Sequence, residues 1–157
     1  MKRPWNLSNI PVYSLATCEG EKLNMNISTY VSAVSMNPKR YMVAVYHSTQ
    51  SLQNMRNSKT AILQLLGKQH LSLVNTLGKK SGHQYDKEAY LKKKRLLEVW
   101  NDKRVLTNCA AVMEVEKIWS KDAGDHTMFL FDVTRFRTNH GNVLMLDDLR
   151  EKKLVRI

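Results

Sequence analysis

From Val12 onward, runs of alternating apolar and polar residues are separated by short segments with a looser, helix-like spacing. Val12 to Cys18 is rich in β-branched and aromatic residues. It predicts a strand between Pro11 and a hairpin turn at Glu19-Gly20. Leu23 to Tyr30 and Val31 to Ser35 carry mixed alternation and predict one long or bulged strand, followed by a turn at Asn37-Pro38. Tyr41 to Tyr46 is almost continuously apolar, which predicts a strand covered on both faces. Thr60 to Leu66, Asn108 to Trp119, Thr127 to Phe136 and Val143 to Leu146 are further strands, with a tight link at Lys121 to Asp125.

Three segments have helical character. Ser48-Thr49-Gln50-Ser51 supplies a hydroxyl N-cap to LQNMRNSK, with Leu52, Met55 and Ile62 on the buried side. His70 to Leu77 suits a short helix stopped by Gly78. Lys87 to Val99 reads as a basic helix with a partial apolar stripe of Tyr90, Leu91 and Leu97. Strands at this spacing predict a mainly β chain: antiparallel meanders closing into a barrel, with two or three peripheral helices. Residues 1–157 are expected to be a single domain, with the segment from about 147 to 157 as a surface tail or dimer arm.

Composition narrows the class. Hydrophobic residues make up 43% and charged residues 25%, a globular balance. No apolar run is long enough to span a bilayer, and MKRPWNLSNIP is too polar after Arg3 to be a secretion leader, so a cytoplasmic location is expected. Cys18 and Cys109 lack ligand-like spacing, so no metal site is expected, and each sits in an apolar setting that predicts a buried thiol. Lys79 to Arg104 contributes much of the formal charge of +11. Such a surface attracts anionic ligands or nucleic acid. The run Lys92 to Arg95 has no interleaved aromatics, which favours a solvated helix face over a nucleic-acid-binding module.

The stretch from Asn24 to Asn54 carries the candidate chemistry. Small hydroxyl and amide side chains at Asn26, Ser28 and Thr29, with Ile27 between them, sit where a strand offers backbone groups to a planar heterocycle. Thr49 and Ser51 sit where a helix's first turn has free N–H groups that favour an anion. His47, Ser48 and Gln50 flank them, and Asn54 lies one turn on. Ordinary capping explains the same hydroxyls. A flat ring and a phosphate in one ligand point to FMN. There is no metal box, paired acidic motif or nucleophilic triad in the chain.

The order of three motifs resembles the flavin reductase-like family. Asn24 to Ser35 followed by Asn37-Pro38 is similar to its hydroxyl-rich strand ending in Ser-x-(Asp/Asn)-Pro. Thr49-Gln50-Ser51-Leu52-Gln53-Asn54-Met55 looks like its Ser-x-Thr-x-x-Asn-Ile helix start. Gly124-Asp125-His126 and the strand after it resemble its Gly-Asp-His-(x)4-Gly-x-Val segment. The resemblance implies a split β-barrel of the FMN-binding type and a homodimer holding FMN near the subunit interface. It also implies reduction of that flavin by NADH or NADPH, and a redox partner protein to receive the electrons. On the same ground Asn26 to Thr29 face the flavin ring, His47 to Ser51 with Asn54 surround its phosphate, and His126 is the catalytic residue beside its reactive face. A non-catalytic or electron-carrying FMN-binding protein is the alternative. The chain departs from the pattern at Phe131, where the family has glycine, and in the ending HGNVLMLDDLREKKLVRI, which replaces the family's Pro-rich turn and aromatic strand.

Overall fold

The computed structural model describes residues 3–155. Nine strands and three α-helices follow in chain order: β1 (Tyr13–Glu19), β2 (Lys22–Met25), β3 (Val31–Met36), β4 (Lys39–Tyr46), α1 (Gln50–Asn57), β5 (Thr60–Leu65), α2 (Lys87–Lys93), β6 (Leu97–Trp100), β7 (Lys103–Leu106), β8 (Ala111–Asp122), β9 (His126–Thr138) and α3 (Leu146–Glu151). A 3-10 turn (Lys68–Leu73) and a π turn (Asn75–Lys79) lie between β5 and α2. Seven strands pair in the order β2-β1-β5-β8-β9-β4-β3, all through antiparallel ladders, while β6 and β7 form a separate hairpin.

Residues 26–30 split the barrel. The sequence predicts one strand through this region; the structure has two, at opposite edges of the sheet. The segment between them crosses from one edge to the other. Ser28 exchanges both backbone bonds with Tyr13 at 2.8 Å, and Tyr30 accepts from the Ala44 amide at 2.9 Å. It thereby joins the β1 side to the β4 side and closes the barrel.

Period-two patterning explains the interior. Tyr13 and Leu15, Val43 and Val45, Ala61 and Leu63, Met113 and Val115, and Phe129 and Phe131 give one inward pair per strand. Leu52 and Met55 of α1 cap the same cluster. Phe131, where the family has glycine, is fully buried here and stacks on Phe129 with ring centroids 6.0 Å apart. Val12, Ala16, Ile62 and Val112 point outward from β1, β5 and β8 into a second core. That core is completed by Leu77, Leu91, Val105, Leu106, Leu146 and Leu149.

This second layer corrects several expectations. The strands covered on both faces are β1 and β5, not Tyr41 to Tyr46, because α2, α3 and the β6-β7 hairpin lie over β1, β5 and the start of β8. Ile62 belongs to that outer core rather than to the α1 face. The predicted helix from Lys87 to Val99 ends at Lys93; Arg95 takes positive φ (55°), and Leu97 enters β6. The hairpin turn is Asn101-Asp102, both at positive φ (48° and 60°), a conformation that these short polar side chains tolerate. Val143 to Leu146 is not a strand: it makes only isolated bridges, Gly67 with Val143 and Pro11 with Met145. The segment expected as a tail begins as α3, docked through Leu149; Arg156 and Ile157 lie outside the described residues. Cys109 is buried as expected, but Cys18 is exposed at the end of β1. His70, in the 3-10 turn after β5, is 2% exposed. Among the described residues, no helix is long and apolar enough to cross a membrane.

Candidate functional site

Helix α1 begins where β4 leaves the barrel. Thr49 takes the N-cap: its hydroxyl donates to the Tyr46 carbonyl at 2.8 Å and accepts from the Leu52 amide at 3.2 Å. Both hydrogen-bonding functions of Thr49 are therefore spent on capping. The free donors of this turn are the amides of its first residues, together with the hydroxyl of Ser51. Ser51 is buried and accepts from Asn24 Nδ2 at 3.0 Å, which leaves its own O–H to donate.

A cavity of about 470 Å³ opens in front of this turn. Its walls are the crossing segment, the start of α1, the end of β4 and the loop from Leu77 to Gly82. Asn26, Ile27, Ser28, Thr29, Ser48, Thr49, Gln50, Ser51 and His126 all line it. His47 does not: its Nε2 lies 3.1 Å from Thr127 Oγ1 and 3.4 Å from Asp122 Oδ1, on the β8-β9 hairpin. Asn54 sits behind the helix, donating to Thr17 Oγ1 at 3.0 Å and accepting from Gln50 Nε2 at 2.7 Å. Gln50, also a wall residue, commits its side-chain amide to Asn54 and Glu19. Asn26 Oδ1 accepts from the Leu15 amide at 2.7 Å, holding the crossing segment on β1.

The loop from Leu77 to Gly82 was not expected in the site. Gly82 explains how it gets there: a Cβ at this position would press into Asn24 Oδ1 and lie 2.9 Å from Gln50 Cβ. Only hydrogen at that position lets the loop backbone lie against the first turn of α1. Gly78 is similarly close to Ile27, whose Cβ would be 3.2 Å from an added carbon. This brings Lys79, Lys80 and Lys87 to the lining, which includes no carboxylate. The Lys80 ammonium lies 4.2 Å from the Tyr85 ring centroid. Helix N-terminal amides and uncompensated cations in one cavity favour an anion by the same sign of potential. The sequence signal was present as Gly-Lys-Lys-Ser-Gly, 29 residues beyond Ser51 at its second lysine, but only the fold brings it to α1.

Another wall is aromatic. His126, opposite Tyr46 in the β4-β9 ladder, packs against Tyr46 and Tyr30 with ring centroids 5.3 and 5.1 Å apart. Its Nδ1 is 2.6 Å from Asp125 Oδ1. That hydrogen bond holds Asp125 below the usual carboxylate range. None of residues 139–155 lines this cavity, so the described part of the divergent ending does not form its walls.

A family model described as the flavin reductase like domain matches residues 7–152. Among solved structures, the chain is similar to an FMN-binding protein from Thermus thermophilus, with 16% identity and a TM-score of 0.78 over 92% of this chain and 85% of that one. Flavoredoxin from Methanosarcina acetivorans gives 17% identity and a TM-score of 0.75 over 88% and 75%. The styrene monooxygenase flavin reductase from Pseudomonas putida S12 gives 16% and 0.75 over 90% and 88%. No protein of curated function matches the sequence.

Proposed function

The chain belongs to the flavin reductase-like domain family, and on that premise we propose that it binds FMN in the cavity at α1 and transfers hydride to it from NADH or NADPH. The observation that carries this reading is the composition of the cavity wall. It combines a crossing backbone segment for a planar ring, a helix start with three lysines for a phosphate, and an aromatic wall, with no acidic residue among them. This donor set fits FMN and would repel no part of it.

FMN, when bound, supplies the two-electron chemistry, accepting hydride from a nicotinamide and releasing electrons to an acceptor. The protein's task is alignment. Ser28 spends its backbone on Tyr13, so the adjoining Ile27 and Thr29 amides turn away from β1 and are the groups assigned to the ring's polar edge. The Gln50 and Ser51 amides, the Ser51 hydroxyl and Lys79 with Lys80 are assigned to the phosphate. Thr49 acts as the cap that orients those amides. His126, held by Asp125, is assigned to the rim over the reacting face. His47 and Asn54 support the hairpin and the helix, respectively.

A second copy of the chain is the proposed partner. Among the described residues, the outer face of β3, β4, β9 and the later half of β8 has no covering layer, and the register aligns Met42, Leu130 and Trp119 across it. Trp119, Val34 and Ile118 are exposed there, and Tyr30, Ala44 and Tyr46 link this face to the cavity mouth. Homodimerisation through this face would bury an apolar patch and cover the site.

Anaerobic titration tests the reaction. The purified protein is expected to be yellow and to bleach on addition of NADH or NADPH. A flavin that neither nicotinamide bleaches, but a redox partner protein reduces, assigns electron carriage instead. A colourless protein that does not bind added FMN refutes the proposal.

A further inference from the structure

We propose that Arg150 is a positioning residue of the flavin cavity: from α3 it pins the segment before β1 as a strap at the cavity mouth, and that strap sets how fast the flavin enters and leaves. The inference rests on the flavin reading above. Among the described residues before β1, Asn6 alone lines the cavity. It is partly buried, while its neighbours from Arg3 to Asn9 are all exposed. Pro4 opens a 3-10 turn over Pro4–Asn6, closed by the Leu7 amide donating to the Pro4 carbonyl at 3.1 Å. Trp5 and Leu7, each 58% exposed, flank Asn6 on this turn and set two large apolar side chains beside the cavity.

So little apolar burial holds residues 3–9 that their position depends on polar clamps, and the clamps come from α3. Arg150 Nη2 donates to the Ser8 carbonyl at 3.1 Å, while Nη1 pairs with Asp147. The Asp147 amide donates to Asn9 Oδ1 at 3.0 Å, and the Leu146 amide to the Ile10 carbonyl at 2.8 Å. Helix α3 does not need Arg150 for its own docking, because Leu146 and Leu149 already anchor it in the second core. The Arg150 side chain is nonetheless only 14% exposed, and among the described residues its buried Nε has no hydrogen-bond partner. Burying a charged group with a donor left over is costly. What the arrangement achieves is a fixed Ser8, two residues from the cavity lining.

The divergent ending thus reaches the site at one remove. Its described part forms no wall of the cavity, yet it holds the segment that carries Asn6 there. Flavin passes the mouth when the strap is open, so entry and exit both scale with the open population. Breaking one hydrogen bond to a charged group raises that population about tenfold. Arg150 does not line the cavity and touches neither ring nor phosphate. Both rates therefore rise by the same factor, and the dissociation constant stays level. Damage to the site itself behaves differently, since it raises exit alone and weakens binding in proportion.

Stopped-flow flavin fluorescence gives entry and exit rates of FMN and riboflavin for the wild type, Arg150→Gln and Asn9→Ala, and equilibrium titration gives each Kd. In Arg150→Gln both FMN rates are expected to rise about tenfold with Kd level, and Asn9→Ala should move them in the same direction. Riboflavin should follow FMN, because the strap reads no phosphate. Chymotrypsin nicking after Trp5 or Leu7, mapped by mass spectrometry, should speed up in both variants with or without flavin. Unchanged flavin rates in folded Arg150→Gln overturn the inference, as does a rise in exit alone with a matching loss of affinity. Asn9→Ala carries the same two outcomes should Arg150→Gln fail to fold. If the wild type binds neither flavin, the flavin reading itself fails; failure of the clamp is told apart by nicking that stays at the wild-type rate in both variants.

Discussion

Gly82→Ala probes the contact that assembles the cavity. The added methyl would lie 2.9 Å from Gln50 Cβ and 3.0 Å from Asn24 Cγ, besides pressing into Asn24 Oδ1. Asn24 cannot swing aside freely, since it is 6% exposed and its amide is committed to Ser51. Gln50 Cβ is part of the helix's first turn and moves only with the backbone. The loop must therefore retreat from α1. Overpacking of this kind costs about 1–3 kcal/mol, and loss of the Asn24–Ser51 bond falls within that range. For a chain of this size the melting temperature should drop by roughly 2–12 °C. Retreat also carries Lys79 and Lys80 away from the helix amides. Loss of one charge-assisted contact to the phosphate, about 1.5 kcal/mol, weakens FMN roughly tenfold. Riboflavin, which has no phosphate, should lose much less. Thermal unfolding followed by paired FMN and riboflavin titrations gives both numbers. Wild-type melting together with an unchanged FMN-to-riboflavin ratio would refute the assembly of the site by close approach at Gly82.

Three further outcomes are expected. Thr49→Ala removes the α1 cap and should cost about 1 kcal/mol in urea unfolding, with a smaller effect on FMN than Gly82→Ala because the hydroxyl is spent within the helix. His70 is buried, accepting from the Gly67 amide at 3.0 Å, with its other ring nitrogen 2.8 Å from the Thr107 carbonyl, and burial lowers its pKa below the ordinary imidazole value. As pH falls through 6.5 the unfolded chain takes up this proton before the folded one does. Stability is therefore full above 6.5 and declines below it, and His70→Gln should flatten that part of a urea-midpoint profile while costing about 1–3 kcal/mol at neutral pH. Thiol titration of the native protein at pH 8 should count one reactive cysteine, Cys18, because burial pushes the Cys109 thiol up to about 12; two fast thiols would contradict the packing around Cys109.

Much of the barrel was legible in the chain because its interior is built on a strict period of two. Tyr13 and Leu15, or Phe129 and Phe131, announce an inward face whatever surrounds them. The start of α1 was legible for a similar reason, since a hydroxyl cap acts within four residues of itself. What failed to show was everything decided across long separations. Leu23 to Ser35 reads as one strand, and only the need to close the barrel breaks it at Asn26 to Tyr30. Leu97 to Val99 reads as the end of a basic helix rather than as the first arm of a hairpin, although Asn101-Asp102 is a turn signal just beyond it.

The chain's own pattern therefore determined a β-barrel, a capped helix after Tyr46 and a set of hydroxyl and amide residues on either side of it, because alternation and capping are local properties. Tertiary structure alone decided which strands receive a second covering layer, and that Lys79, Lys80 and Lys87 line one cavity with the first turn of α1. It also decided that Thr49 is occupied by its own helix. Lysines on a loop carry no mark of the surface they will meet; that depends on a glycine small enough to let two backbones touch.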